Sequence, residues 1–289
     1  MRLPRVSFII PTMNSRRTLE RNLSSIREQD YPEVEVIVVD GGSTDGTIEI
    51  AEKYADRVLV EPGTLGYARQ KWAELATGEI LGIFDSDIYL PHKTWLTNAV
   101  RSLISRKRAA ILWPINIPPV RASHTARAYF ALWEYRLRTS KTPVPGGNIL
   151  VKRKAYDEVG GFNPKLHFGE DYDLTLKILR RGYTYIIYPD PVIHDTMYSL
   201  RQYTRKQFWG ARSLSEAERE IVSATVSWDP GASSILTEGA KHLWQFIASI
   251  PLGIQRYKDP WLVFYSPLMM AIRAVVYGFY YLKITRNRR

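Results

Sequence analysis

The stretch "VEVIVVDGGSTDGT", residues 34–47, begins as an apolar run with one charge inside it and ends on small and acidic residues. Such a run suits a strand covered on both faces, where neither side meets water. The same beat repeats in both directions between Val6 and Leu90: "VSFII", "RTLERNLSSIREQ", "VEVIVVD", "TDGTIEIAEKYA", "RVLVEP", "GYARQKWAELATG" and "EILGIFD". Short Val and Ile runs separated by amphipathic stretches predict βαβ units, hence an α/β fold with a mostly parallel, Rossmann-like sheet flanked by helices. In such sheets ligands sit beyond the carboxyl ends of the strands. Each strand here ends on polar residues: "PTMN", with Pro11 and Asn14, after the first, Asp40 and Gly41 after the second, Asp85 and Asp87 after the last. One crevice is expected to gather them.

Within "GIFDSDIYLP", residues 82–91, two carboxylates stand one residue apart at the end of an apolar run. Like charges this close repel, and a cation resolves the conflict. On an extended strand their side chains would point to opposite sides, so a shared ligand requires the chain to turn there. Oxygen ligands in a chain without cysteine favour Mg²⁺ or Mn²⁺, ions that usually bridge phosphates. The loop after Asp40 is built of small residues that can approach a base or ribose closely, and it also suits a strand-to-helix turn capped by Ser43 or Asp45.

Composition bounds the partners. The chain has 289 residues, 45% apolar, with 40 Lys and Arg against 29 Asp and Glu, a formal charge of +11. That balance favours anionic partners such as phosphorylated small molecules or acidic lipid. The absence of cysteine excludes disulfides, thiolate metal sites and Cys nucleophiles. "MRLPRVSFIIP" has a short apolar run ending at a proline, which predicts a first strand rather than a signal peptide and a cytoplasmic N-terminal part.

Further along, a helix is expected from Leu96 to Arg106, a strand from Ala109 to Trp113, and a core-packed helix over "TARAYFALWEYRLR". In "PVPGGNILVKRKAYDEVGGF", Gly146 and Gly147 permit close backbone approach. A helix over Tyr172 to Arg181 and a strand over Tyr185 to Tyr188 complete a domain of residues 1–215. The remainder, 216–289, is expected to hold membrane-associated helices. Residues 261–282 form a long apolar stretch broken by Pro267 and Arg273 and followed by "KITRNRR". A span needs roughly 20 such residues. With a cytoplasmic N-terminal domain, the positive-inside rule requires an even number of spans, so a hairpin over about 235–256 and 261–282 is expected. Arg273 then has to face protein, water or a lipid phosphate.

The order "VSFIIPTMNSRRTLERNLSSI", "VDGGSTDGT", "ARQKWAELATGEILGIFDSD", "GGFNPKLHFGEDYDLTLKILRRGY" resembles family 2 of the glycosyltransferases, inverting nucleotide-sugar enzymes with a GT-A fold, over about residues 5–215. The resemblance implies a nucleotide-sugar site built from Pro11, Asn14, Asp40, Gly41, Arg69, Asp85, Asp87, Gln202 and Arg205. In it Asp40 meets the base, Asp85 lies near the ribose, and Asp87 binds the metal of the diphosphate, Mn²⁺ or Mg²⁺, with His194 of "YPDPVIHDT" completing the metal shell. It also implies Glu170 and Asp171 as the acid pair. Direct displacement at an anomeric carbon needs the acceptor hydroxyl deprotonated as it attacks, so Asp171 is the expected base, a residue equally suited to cap the following helix.

"RQYTRKQFWGAR" resembles the Gln-x-x-Arg-Trp motif of cellulose- and hyaluronan-synthase-like members, with Gln202 and Arg205 matching and Lys206 in the Trp position. The missing Trp argues against processive polymer synthesis; Trp209 stands one helical turn on and, with Gly146 and Gly147, is expected on the acceptor side. Resemblance to dolichyl-phosphate mannose synthases makes GDP-mannose the expected donor, ahead of UDP-glucose and UDP-GlcNAc. The expected acceptor is a lipid-linked saccharide at the cell membrane, with the catalytic domain cytoplasmic. Transfer to polyprenyl phosphate is the alternative. A nucleic-acid-binding protein would also be basic, but that reading explains neither the paired aspartates nor the apolar tail, so no nucleic-acid partner is expected.

Overall fold

The computed structural model describes residues 2–63, 65–139, 147–166, 169–196, 199–211 and 232–286. Its first part follows the expected alternation: β1 (Val6–Thr12), α1 (Arg16–Arg27), β2 (Val34–Asp40), α2 (Thr47–Tyr54), β3 (Arg57–Val60), α3 (Leu65–Leu75) and β4 (Ile80–Ile83). β1 lies between β2 and β4, parallel to both, with Thr12 opposite Asp40 and Ile9 opposite Ile83. The polar residues after these strands therefore emerge along one edge.

The chain continues through β5 (Ile88–Tyr89), α4 (Trp95–Ile104), β6 (Ala109–Ile117), α5 (His124–Thr139), β7 (Ile149–Lys152), α6 (Arg153–Glu158), α7 (Glu170–Arg180) and β8 (Thr184–His194). The eight strands form one sheet in the order β3-β2-β1-β4-β7-β6-β8-β5. Parallel pairing extends over β3-β2-β1-β4 and over β6-β8, but β7 runs antiparallel to β4 and β6, and β5 antiparallel to β8. The sheet is thus mixed. Its reversals have a purpose for the site. An antiparallel neighbour begins where its partner ends, so β7 starts beside the exit of β4, with Ile149 opposite Ile83. By the same geometry β5 sets Ile88 opposite His194.

The sheet buries Phe8, Ile10, Val36 and Val38 against Leu19, Leu23 and Ile26 of α1. An edge-to-face series runs from Phe8 to Phe84 (5.3 Å), Trp95 (6.2 Å) and Tyr188 (5.7 Å), packing beneath the exit of β4.

The chain divides into two compact units, Met1–Ile117 with Lys141–Asp195, and Pro118–Ser140 with Thr196–Arg289. The first contains the whole sheet. The second contains α5, a helix over residues 200–211 (α8), α9 (Ala232–Tyr257) and α10 (Leu262–Arg286). Helix α5, from "TARAYFALWEYRLR", packs on α9 and α10, where Ala128 and Leu132 meet Phe246, Leu262 and Met269. Its buried Glu134 accepts from Arg256 Nη2 at 2.7 Å, and Asp259 pairs with His124 (2.6 Å) and Arg127 (3.1 Å). Arg273 of α10 donates to Gln207 Oε1 at 3.0 Å and lies 4.5 Å over the Tyr277 ring. Among the described residues, one helix is long and apolar enough to cross a membrane, over Leu262–Phe279 of α10; α9 is not.

Helix α3 is fixed to the sheet by Arg153. Its guanidinium donates to the carbonyls of Ala73 (3.1 Å), Ala76 (2.7 Å) and Gly78 (2.7 Å), ending the helix and the loop that enters β4. A charged donor that satisfies three carbonyls is costly to remove. Arg153→Met is expected to destabilise the fold by about 2–3 kcal/mol, read from urea unfolding, and a loss below half that would show the carbonyls finding water instead.

Candidate active site

The exit of β4 is the centre of the site. Past Phe84 the chain turns, with Ile88 N–H donating to the Asp85 carbonyl at 3.2 Å, so Asp85 and Asp87 escape the strict alternation of a strand. Two buried asparagines hold this turn. Asn22 Nδ2, from α1, donates to the carbonyls of Asp85 (3.1 Å) and Ile88. Asn148 Oδ1 accepts from Asp85 N–H at 2.9 Å, while Asn148 N–H donates to the Ile83 carbonyl at 2.7 Å. Asn148 has φ +75°, a left-handed conformation an Asn tolerates better than most residues. Gly147 precedes it, and a Cβ there would lie 3.3 Å from both Asp85 Oδ1 and Arg69 Nη2. Gly147 therefore meets the Asp85 side chain. Gly146 lies outside the described residues.

Asp87 and His194 form one pair across the β5–β8 ladder, with His194 Nε2 3.2 Å from Asp87 Oδ1. Asp195 N–H donates to the Asp87 carbonyl at 2.7 Å, and Arg17 donates to the Asp195 carbonyl at 2.8 Å.

Arg69 makes the second connection. From α3 its Nη2 donates to Asp85 Oδ1 at 2.8 Å and its Nη1 to Glu170 Oε1, with 3% of the Arg69 side chain and 4% of the Glu170 side chain exposed. Glu170 and Asp171 open the first turn of α7, whose N-cap is Gly169 at φ +77° rather than Asp171. Asp171 Oδ1 instead accepts from Tyr172 N–H at 2.7 Å. Burial pushes both carboxyls above the ordinary range; Arg69 opposes this, while Asp85 adds to it for both. One guanidinium thus serves three carboxylates.

The neighbouring strand end is organised by Asp40. Its buried carboxylate accepts from Gly42 N–H (2.9 Å), Ser43 N–H (2.6 Å), Ser43 Oγ (2.6 Å) and Thr12 Oγ1 (2.7 Å). Burial raises its proton affinity, and these donors outweigh that and hold it below the usual range. Asn14, at φ +50°, ties the β1 and β2 loops together, accepting from Thr44 N–H at 3.0 Å and donating to Ser43 Oγ at 2.7 Å. Gly41 N–H donates to the Thr12 carbonyl at 2.9 Å, and Pro11 sits in β1 opposite Val39. Ser86 Oγ and Ser15 Oγ, 2.9 Å apart, join this loop cluster to the Asp85–Asp87 turn.

The sequence profile of Glycosyl transferase family 2 matches residues 7–160, more than half of the 289 residues. The chain belongs to glycosyl transferase family 2. The profile of Glycosyl transferase family group 2 matches residues 85–281 of this glycosyltransferase. Among curated proteins it is 27% identical over 218 residues to Glycosyltransferase AglE of Haloferax volcanii, 71% of each chain. It is also 27% identical over 268 residues to Pre-mycofactocin glycosyltransferase of Mycobacterium tuberculosis, 87% of this chain and 54% of that one. Its fold is shared with mannosyltransferase PcManGT of Pyrobaculum calidifontis, in complex with GDP-Man and Mn²⁺ (TM-score 0.60, 23% identity, 96% of this chain and 74% of that). It is shared too with glucosyl-3-phosphoglycerate synthase of M. tuberculosis, in complex with Mn²⁺, UDP and phosphoglyceric acid (TM-score 0.56, 22% identity, 79% and 81%).

The first unit of the glycosyltransferase thus gathers Asp85, Asp87, His194, Arg69, Glu170, Asp171 and Gly147, with Asp40, Gly41, Asn14 and Pro11 at the adjoining strand ends. Gln202, Arg205 and Trp209 stand on α8 of the second unit. Sequence reasoning missed Asn22 and Asn148. The signal for Asn22 was a polar residue on the apolar face of α1; Asn148 was marked by following two glycines.

Asp40→Asn is expected to cost about 2 kcal/mol or more at pH 7, because an amide turns two hydrogens toward a site lined by two fixed N–H donors. The sign with pH follows from the lowered proton affinity. The carboxylate's contribution is present above the unfolded pKa of about 3.9 and lost as pH falls through the folded value. Urea unfolding at pH 7 and pH 3 should show the two proteins converging in acid; a constant difference would rule out the charge as the cause.

Proposed function

We propose that the protein is a membrane-associated inverting glycosyltransferase that moves a single sugar, mannose from GDP-mannose in the first instance, to a saccharide carried on a lipid. The observation that carries this reading is the arrangement around one strand exit: the Asp87–His194 pair on one side, and the Glu170–Asp171 pair tied back through Arg69 on the other. GDP-mannose is put first because the mannosyltransferase of the same fold is in complex with GDP-Man and Mn²⁺.

Asp87 and His194 offer a carboxylate oxygen and an imidazole nitrogen, a donor set that suits Mn²⁺ and tolerates Mg²⁺. These two side chains would hold the ion, which commonly takes phosphate oxygens as further ligands. When bound, the ion neutralises charge on the departing diphosphate. Asp85 faces the ribose. Asp40, its carboxylate spent on its own loop, shapes the base pocket, and a direct base contact there would replace one of its four hydrogen bonds. The acceptor oxygen attacks the anomeric carbon, the bond from that carbon to the diphosphate oxygen breaks, and the acceptor proton passes to the Asp171 carboxylate. A carboxylate whose proton affinity is raised by burial is a stronger base than an exposed one.

The lipid side of the proposal rests on α10. Val263, Phe264, Leu268, Val275 and Phe279 are exposed, while Leu262, Met269 and Val276 are buried. The uncharged exposed face runs over 18 residues, about 27 Å at 1.5 Å per residue, close to the hydrocarbon thickness of roughly 30 Å. With α10 the one helix among the described residues apolar enough to cross, a cytoplasmic catalytic unit and a cytoplasmic "KITRNRR" share a side only if α10 lies along the membrane surface or a second segment returns the chain.

Asp87→Ala is expected to abolish Mn²⁺-dependent nucleotide binding in calorimetry with GDP and UDP, and His194→Ala to weaken it less; equal affinity with and without Mn²⁺ in wild type and variant alike would refute the metal site. Asp171→Asn should retain donor binding yet lose transfer by about a hundredfold or more. Full transfer by that variant, or wild-type transfer to polyprenyl phosphate but to no glycosylated lipid, would overturn the assignment of base and acceptor. The triple substitution Phe264→Glu, Leu268→Glu, Val275→Glu changes side chains that are 66%, 46% and 72% exposed, so the fold should survive. Flotation with lipid vesicles should be lost; a variant that still floats would refute the lipid face.

A further inference from the structure

Resemblance placed Arg69 among the residues that meet the nucleotide sugar. Its surroundings argue otherwise. With 3% of the side chain exposed, one terminal nitrogen on Asp85 and the other on Glu170, the guanidinium is closed to a ligand. Gly147 seals it on the Asp85 side, since even a methyl group there would come within 3.3 Å of Nη2. The Phe162 ring centroid lies 6.0 Å from the guanidinium carbon. An arginine held this way transmits what happens at one partner to the other.

We propose that Arg69 is a positioning residue that couples the donor site to the base: by sharing one buried cation between Asp85 and Glu170, it sets how readily the adjacent Asp171 accepts a proton. The inference rests on Asp171 as base. The charged groups that bear most on Asp171 are Arg69 from α3, Asp85 from the exit of β4, and Glu170 beside it on α7. Two of the three are anions, so the single cation decides the balance. Take Arg69 away and Asp171 is left among buried like charges, a carboxyl that keeps its proton at higher pH. Take the charge from Glu170 and the same cation acts on Asp171 with one competitor fewer. The two substitutions must therefore move Asp171 in opposite directions, which a purely structural arginine would not do.

The same sharing has a consequence for the donor. Asp85 is the more exposed end of the bridge, at 39% of its side chain, and Glu170 the buried end. A ribose hydroxyl that donates to the Asp85 carboxylate loosens its claim on Arg69 and leaves more of the cation's field to the Glu170–Asp171 pair. Donor binding then lowers the proton affinity of Asp171 and readies it for the acceptor.

The test is a carboxyl ¹³C NMR titration of the full-length protein in detergent, labelled on Asp and Glu, with Asp171→Asn assigning the resonance. Wild type should show Asp171 titrating above the ordinary carboxylate range. Arg69→Met should raise its midpoint by about one to three pH units, the effect of losing a neighbouring cation. Arg69→Lys should raise it less, and Glu170→Gln should lower it below wild type. Saturating GDP with Mg²⁺, which is diamagnetic, should also lower the wild-type midpoint. Glu170→Gln is isosteric, so it keeps the test alive if Arg69→Met does not fold. A midpoint unmoved by Glu170→Gln, or moved upward by it, overturns the proposal, as does an unmoved midpoint in a folded Arg69 variant. Asp171→Asn retaining full transfer would instead remove the base reading, an outcome the titration does not share.

Discussion

Three carboxylates converge on one buried guanidinium, and the first unit of this protein is arranged to make that possible. A buried anion is tolerated when a cation and hydrogen bonds compensate it, and Arg69 supplies the cation to Asp85 and Glu170 from a helix that neither carboxylate belongs to. Bringing the three together takes α3, the exit of β4 and the first turn of α7. It also explains the antiparallel strand in a largely parallel half-sheet: β7 delivers Gly147 and Asn148 to the turn after β4, where one gives room and the other holds the backbone. A parallel strand there would have begun at the far edge.

The loop after β2 shows the opposite solution to a similar problem. Asp40 meets no guanidinium in its hydrogen bonding and relies on four donors from its own and the neighbouring strand end. Donors alone depress its proton affinity, whereas at Glu170 one strong cation fails to offset burial among like charges. The difference fits a loop held rigid on one side and, in the reaction proposed above, an acid pair that exchanges a proton on the other.

Much of this was legible in the sequence. The apolar runs at "VSFII", "VEVIVVD" and "EILGIFD" located three parallel strands, because burial on both faces leaves no other composition available. The family resemblance put Asp87 and His194 side by side, and the structure sets His194 Nε2 3.2 Å from Asp87 Oδ1. What the sequence hid was pairing direction after residue 84, since apolar content says that a strand is buried and not which way its neighbour runs. The bridging role of Arg69 was hidden too: its partners lie 16 and 101 residues away, and only the folded chain shows that both of its terminal nitrogens are taken. The α7 cap was misplaced by one or two residues because glycine in a left-handed conformation, rather than Asp171, ends the loop.

The second unit was legible as apolar but not as patterned. In α10 the buried positions Leu262, Ser266, Met269 and Val276, with half-buried Arg273 between the last two, recur at alternating intervals of four and three. That seam faces its neighbours, where Tyr203 donates to the Met269 carbonyl at 3.2 Å and Gln207 receives Arg273 at 3.0 Å. A helix on the surface of a water-soluble protein puts its charge outward and its Phe, Val and Leu inward. Here the sole charge between 262 and 279 turns to a glutamine on α8 and an aromatic face, while Phe264, Val275 and Phe279 are left outside. The inversion decides how Arg273 should be read. A guanidinium in an apolar stretch looked from the sequence like an obstacle to membrane association; paired on the seam, it leaves the outer face without a charge, and that face is suited to surroundings less polar than water.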